Sequence, residues 1–142
     1  IRALEIYEGS GVKKSDIKDE MIPRFDYTAI MPVMPREILY ERINRRVDEM
    51  VKNGLEEEVR GLLKSGVTQD DQCMQGIGYK ETAEAILNDA ELPVELIKMN
   101  TRRYAKRQIT FFKRFNNLNL VDFSRDGKIE KCFKIAEEFL NN

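Results

Sequence analysis

The chain has 142 residues, 42% of them hydrophobic, which suits one domain of ordinary size with a real apolar core. No apolar run approaches the roughly 20 residues of a membrane span and no signal peptide is visible, so a soluble cytoplasmic protein is expected. The net charge is −1 and there is no histidine, which excludes a histidine general base, Ser–His and Cys–His pairs and most zinc sites.

The N-terminal part of the sequence predicts little regular structure. Residues 1–8 are typical of the end of a helix that Gly9-Ser10-Gly11 stops, and residues 12–24 of a polar loop. Because the first residues resemble mid-helix and no initiator Met precedes them, we expect a piece of a longer protein. Residues 27–34 predict a short strand whose pairing ends at Pro32, and residues 118–123 are the other strand candidate.

Several helices are predicted after this strand. Residues 35–52 carry an apolar stripe at helical spacing, and residues 55–64 predict a second helix with acidic residues in its first turn. A polar loop and a glycine-containing turn lead into a helix over residues 80–87. The tail, residues 127–142, is amphipathic, and its apolar face consists of Ile129, Phe133, Ala136 and Leu140.

The most informative segment is the long helix predicted for residues 93–115. Residues 96–121 contain seven Lys or Arg and no Asp or Glu. We expect its inner side to consist of Tyr104, Ala105, Ile109, Phe112 and Phe115, which leaves the cations exposed. A cationic helix backed by apolar anchors is typical of polyanion binding, most often to nucleic acid. Alternatively, the positive charges only form a solvent-exposed helix face, or they bind an acidic protein partner.

Two smaller constellations could carry chemistry. Arg42 and Arg46 fall on the same side of their helix and could clamp a phosphate-like group, or could pair with carboxylates such as Glu49. The turn Gln75-Gly-Ile-Gly-Tyr-Lys80 allows close backbone approach, with Tyr79 free to stack on a base, or is just a turn. The Walker motif G-x-x-x-x-G-K-[ST] does not occur in the sequence.

These pieces resemble, in order, the C-terminal half of a tRNA dimethylallyltransferase, also called tRNA isopentenyltransferase. The matching segments are Arg2-Ala-Leu-Glu5 followed by Gly11; Arg42-Ile-x-x-Arg46-Val-Asp-x-Met50 with Gly54-Leu55 and Glu58-Val59; Gln75-Gly-Ile-Gly-Tyr-Lys-Glu81; and Thr101-Arg-x-Tyr-Ala-Lys-Arg-Gln108 with Thr110. The resemblance runs over nearly all of residues 1–123. One departure is Phe111, where the family often has Trp.

The resemblance implies transfer of a dimethylallyl group from its diphosphate to the exocyclic amine of the adenosine beside the tRNA anticodon, assisted by Mg²⁺. The implied parent fold is α/β and P-loop NTPase-like, and this chain should be mainly α-helical with one or two short strands. Residues 1–24 would end a helical insertion domain, and residues 25–142 would be the C-terminal part of the core transferase domain. The phosphate loop, the general base and most of the Mg²⁺ site would lie in the absent N-terminal half, so this chain should be inactive alone.

The resemblance also implies roles for individual residues. Arg42 and Arg46 would be catalytic, touching the diphosphate or shaping its pocket. The tRNA anticodon stem-loop would be held by Gln75, Gly76, Ile77, Gly78, Tyr79, Lys80, Asn100, Thr101, Arg102, Arg103, Lys106, Arg107 and Gln108. The alternative function is a non-catalytic basic helical RNA-binding module. Apolar surface left by the absent half could drive self-association.

Overall fold

In the computed structural model, residues 2–13 and 25–141 are described. Helices and two strands follow one another along the chain: α1 (Arg2–Ser10), β1 (Ala29–Val33), α2 (Arg36–Lys52), α3 (Leu55–Lys64), a 3₁₀ turn (Gln72–Gln75), α4 (Tyr79–Leu87), α5 (Val94–Phe112), β2 (Leu118–Asp122) and α6 (Lys128–Leu140). The mainly helical class predicted from the sequence is confirmed. Most of the predicted loop at residues 12–24 lies outside the described residues.

The two strands pair in parallel, from Ala29 opposite Leu118 to Val33 opposite Asp122. The prediction that pairing ends at Pro32 is wrong, because Pro32 lies opposite Val121 within the ladder. Ala29 donates its N–H to the carbonyl of Asn117, just before β2, and Val33 accepts a hydrogen bond from Phe123, just after it, so alternate residues of β1 face β2. Pro32 falls between them and faces the open side, where its missing N–H costs no ladder bond.

The core lies where α2, α3, α4 and α5 meet. Its buried members are Val47, Leu55, Val59, Met74, Ala83 and Ile97. Val47 belongs to the apolar stripe predicted on α2, and Leu55 and Val59, four residues apart, form the buried side of α3, as helical periodicity requires. Gly54 adopts φ +96° between α2 and α3, a conformation that favours glycine and lets the chain reverse tightly.

The cationic helix α5 packs chiefly on α2. It ends at Phe112, three residues earlier than predicted, and its last residues, Phe111 and Phe112, contact Phe115 just beyond the helix. The expected inner side is partly wrong: Tyr104 is 47% exposed and Phe112 41% exposed. α5 therefore buries a narrower face than its composition indicated.

The C-terminal helix α6 contacts β2. Three members of its predicted apolar face are exposed, namely Ile129, Phe133 and Leu140. Its partly buried residues include Cys132 and Ile135 on the neighbouring side. α6 thus leaves its most apolar stripe uncovered in this chain.

Candidate nucleic-acid interface

One cavity of about 600 Å³ lies between α2, the glycine turn and the cationic helix α5. It is lined by Arg46, Val47 and Met50 from α2, by Gln75, Gly76 and Ile77 from the turn, and by Ile97, Thr101, Tyr104 and Arg107 from α5. Three segments that the sequence analysis singled out separately therefore share one concave surface. A single RNA hairpin could contact all of them at once.

The cavity is electropositive over an apolar floor. Its lining includes Arg46 and Arg107 but no carboxylate. Within the described residues, neither arginine forms an ion pair with a carboxylate. The guanidinium of Arg107 lies 5.6 Å from the ring centre of Tyr104, within cation–π range. An exposed aromatic ring beside unpaired cations suits a ligand with both flat bases and phosphates.

The glycine turn depends on one of its two glycines for its shape. Gly78 has φ +98°, and a Cβ there would lie 3.4 Å from Cε of Met50. Gly76 has φ −64° and ψ 142°, which any residue adopts. Positive φ is therefore required at Gly78 and not at Gly76, while the predicted close approach of a ligand to the turn stays a prediction. The turn is compact because Gly78 sits against the side chains of the core.

The buried carboxylate of Glu81 closes this turn, although no site role was predicted for Glu81 from the sequence. Glu81 is 8% exposed, and its Oε2 accepts the N–H of Gly78 at 2.8 Å. Its Oε1 accepts a hydrogen bond from Nδ2 of Asn100 on α5 at 2.7 Å. The spacing of Glu81, three residues after the glycine that precedes the helix, is a capping signal that the sequence offered.

Other residues predicted to bind RNA have different surroundings. The Tyr79 hydroxyl donates a 2.6 Å hydrogen bond to Glu58 on α3, and this bond raises the pKa of Tyr79. Lys80 lines a separate polar hollow with Asp70 and Glu84. The structure therefore gives the Tyr79 hydroxyl a partner within the protein, and Tyr104 is the aromatic side chain that lines the shared cavity.

Helix α5 distributes its cations over more than one side. Arg102 donates a 2.6 Å hydrogen bond to Asn44 on α2 and lies 5.9 Å from the ring centre of Tyr40. Lys106 lines a second hollow beside Tyr40, and Gln108 lines an apolar groove of about 590 Å³ that runs along β1. Arg103 is exposed. Thr101 and Arg107 therefore line the shared cavity, whereas Arg102, Arg103, Lys106 and Gln108 do not.

Some of the charge on α5 is balanced through tertiary contacts. Nζ of Lys98 lies 2.7 Å from Oδ1 of Asp48 on α2 and 3.0 Å from Oε1 of Glu95. The hydrogen bond with Asp48, followed by that with Glu95, raises the pKa of Lys98. Counting the Lys and Arg residues in the acid-free stretch therefore overestimates the unpaired positive charge at the start of α5.

Of the two arginines predicted to be catalytic, Arg46 lines the cavity and Arg42 does not. Arg42 is exposed one helical turn earlier. Residues 2–13 and 25–141 contain no group of three or more Cys, Asp or Glu that could hold a metal ion. None of their helices is both long and apolar enough to cross a membrane.

Comparison with known proteins agrees with the sequence motifs. The family model described as IPP transferase matches residues 1–115. The chain is 44% identical over 135 residues to the tRNA dimethylallyltransferase of Clostridioides difficile (strain 630), covering 92% of this chain and 43% of that protein. It is 48% identical over 123 residues to the tRNA dimethylallyltransferase of Thermoanaerobacter sp. (strain X514), covering 82% of this chain and 39% of that protein.

Two solved structures with a similar fold are those of tRNA isopentenylpyrophosphate transferases. The full-length tRNA isopentenylpyrophosphate transferase of Bacillus halodurans superimposes with a TM-score of 0.76 at 35% identity, covering 99% of this chain and 44% of that chain. The tRNA delta(2)-isopentenylpyrophosphate transferase of Staphylococcus epidermidis gives 0.74 at 34% identity, covering 99% and 48%. The chain thus spans less than half the length of the relatives it matches.

Proposed function

The chain belongs to the IPP transferase family, and on that premise we propose that it forms the RNA-facing part of a tRNA dimethylallyltransferase. The whole enzyme would move a dimethylallyl group from its diphosphate to the exocyclic amine of the adenosine next to the anticodon. The amine attacks the allylic carbon, the C–O bond to the diphosphate breaks, and the amine loses a proton. This chain contributes the surface that holds the anticodon stem-loop.

The observation that carries this proposal is the shared cavity. Its lining joins Arg46, the glycine turn and the cationic helix, which lie about 20 to 60 residues apart in sequence. If these segments faced different directions, one stem-loop could not contact them together. Their convergence supports a single RNA site rather than several unrelated basic patches.

Within this site the residues divide by chemistry. Arg107 offers a guanidinium for phosphate and Tyr104 an exposed ring for an unstacked base. Arg46 lines the cavity from α2, and we assign it to the diphosphate side, where a cation offsets the charge that grows on the leaving group. We assign six further residues to the border of this surface, namely Arg42, Asn100, Arg102, Arg103, Lys106 and Gln108.

Other elements of the proposal concern the longer protein. The P-loop NTPase-like parent fold, the Mg²⁺ site and the general base are assigned to the part of the relatives that this chain does not span. Residues 1–24 are assigned to a helical insertion and residues 25–142 to the core domain. We also propose a cytoplasmic location, because the substrate is tRNA, and self-association through the apolar groove along β1.

The test is binding of the 142-residue chain to matched RNA hairpins. One hairpin has the sequence of an anticodon arm with adenosine next to the anticodon, and its control replaces that adenosine and the loop sequence but keeps the stem. The proposal expects tighter binding to the anticodon arm. Equal binding to both hairpins would favour a non-catalytic basic RNA-binding module, and no binding to either would favour an acidic protein partner.

A further inference from the structure

Glu81 is buried where the glycine turn meets α5, and its two oxygens bind donors from different elements. Oε2 accepts the Gly78 N–H at the start of α4, and Oε1 accepts Nδ2 of Asn100 in the middle of α5. Its side chain is 8% exposed. A buried carboxylate without donors would be costly, and here each oxygen has one.

This link matters because it adds a directed polar contact to the apolar core that α4 and α5 share. α4 packs chiefly on α3, whereas α5 packs chiefly on α2. In the described part of the chain, the bond from Asn100 to Glu81 is the side-chain hydrogen bond that joins α4 to α5. Asn100 directly precedes Thr101, and Arg107 follows about two helical turns later, so this bond sets where the cavity-lining side of α5 lies relative to the turn.

We propose that Glu81 is a positioning residue for the RNA cavity, an inference that rests on the proposed function. It fixes the glycine turn against α5, so that Gln75 and Ile77 face Arg107 across one concave surface. Glu81 itself touches no RNA. It acts through Gly78, whose N–H donates to Oε2 where the backbone turns with φ +98°, and through Asn100, which donates to Oε1.

The chemistry of the side chain predicts which substitutions are tolerated. Glu81→Ala leaves the Gly78 N–H and the Asn100 amide without an acceptor in a buried place. Glu81→Gln keeps both links, because its oxygen accepts from Gly78 and its amide donates to Oδ1 of Asn100 once that amide turns over. The exposed Glu84 on the same helix provides the matched control.

The first measurement is the affinity of the 142-residue chain for the anticodon-arm hairpin, at a temperature where circular dichroism shows each variant folded. Glu81→Ala and Asn100→Ala should each weaken binding about tenfold, as expected when buried donors or acceptors lose partners. Glu81→Gln should stay within about threefold of the parent chain and Glu84→Ala within about twofold. A folded Glu81→Ala variant with parental affinity would overturn the inference, as would a Glu81→Gln variant as weak as Glu81→Ala.

A second measurement needs no RNA. Spin labels at Gln75→Cys and Arg107→Cys, in a chain that also carries Cys73→Ser and Cys132→Ser, report the distance across the cavity. Glu81→Ala should broaden or lengthen this distance and Glu81→Gln should not. An unchanged distance in Glu81→Ala would contradict the positioning role. If Glu81→Ala does not fold, Asn100→Ala breaks the same link and decides the result. If the parent chain ignores the hairpin, the proposed function fails, while the distances still test Glu81.

Discussion

Arg102 and Asn44, which are 58 residues apart in sequence, are joined by a 2.6 Å hydrogen bond that ties the cationic helix to α2. The guanidinium also lies near Tyr40, on whose ring Arg36 is stacked at 4.9 Å. Arg102 is therefore partly buried and engaged within the protein, whereas Arg107 faces the shared cavity. Two arginines of one basic segment thus have different surroundings.

The Arg102–Asn44 bond should contribute to stability more than to RNA affinity. Arg102→Ala and Asn44→Ala should each lower the free energy of unfolding by about 1 kcal/mol, since each removes one partly buried hydrogen bond. The double variant should cost little more than either single one, because the two side chains act as a pair. Urea denaturation of the parent chain, the two single variants and the double variant gives the four free energies of this double-mutant cycle. Additive losses would show that the bond contributes nothing.

Arg107 should contribute to RNA affinity more than Arg103, its matched control on the same helix. Arg107→Ala should weaken hairpin binding about tenfold and reduce the dependence of binding on salt by about one phosphate contact. Arg103→Ala should stay within about threefold, because Arg103 does not line the cavity. Fluorescence anisotropy across a salt series measures the hairpin affinity of each variant and its dependence on salt. A similar loss in the two variants would mean that the whole helix, rather than the cavity, attracts RNA.

Gly78 and Gly76 form a second matched pair. Gly78→Ala should lower the free energy of unfolding by about 1–3 kcal/mol, because φ +98° strains any side chain, whereas the new Cβ would meet Cε of Met50 at an ordinary contact distance of 3.4 Å. Gly76→Ala should cost less than about 0.5 kcal/mol, since its backbone conformation is ordinary. Urea denaturation compares the two. Equal losses would mean that the positive φ of Gly78 does not select glycine at that position.

Stability should fall in alkaline solution. The pKa values of Tyr79 and Lys98 are both raised in the folded chain, so each group contributes stability below its unfolded pKa that is lost as the pH rises through the folded value. The loss should therefore begin near about pH 10, the ordinary range of these groups. Tyr79→Phe should make the decline shallower, because no phenol remains to ionise beside Glu58. Urea midpoints from about pH 8 to 11 test this, and an unchanged slope in Tyr79→Phe would contradict it.

The 142-residue chain alone should transfer no prenyl group. The cavity lining contains no carboxylate for a general base, and the described residues include no group of three or more Cys, Asp or Glu for a metal ion. The measurement is incubation of the chain with radiolabelled dimethylallyl diphosphate, Mg²⁺ and tRNA, with a full-length family member as the positive control. Turnover above the protein-free rate would show that these residues hold a complete active site.

The elements of this fold could be predicted because their signals are local. Helices α2 and α3 begin and end within a residue of the predicted bounds, since apolar spacing and glycine punctuation act within a few positions. The ordered motifs around Arg42, Gly78 and Arg107 indicated the family for the same reason. Pro32 was misjudged because the sequence does not say which side of a strand carries its partner.

The sequence by itself determined the helices, the short strands, the clustering of positive charge on α5 and the family to which the chain belongs. The tertiary structure decided which cations are free: it pairs Lys98 with Asp48, turns Arg102 toward Asn44 and leaves Arg107 in the cavity. It also showed that Glu81 joins the turn to α5. The physical reason is range, because periodicity and capping involve neighbours within about one helical turn, whereas these contacts exist only once distant segments pack together.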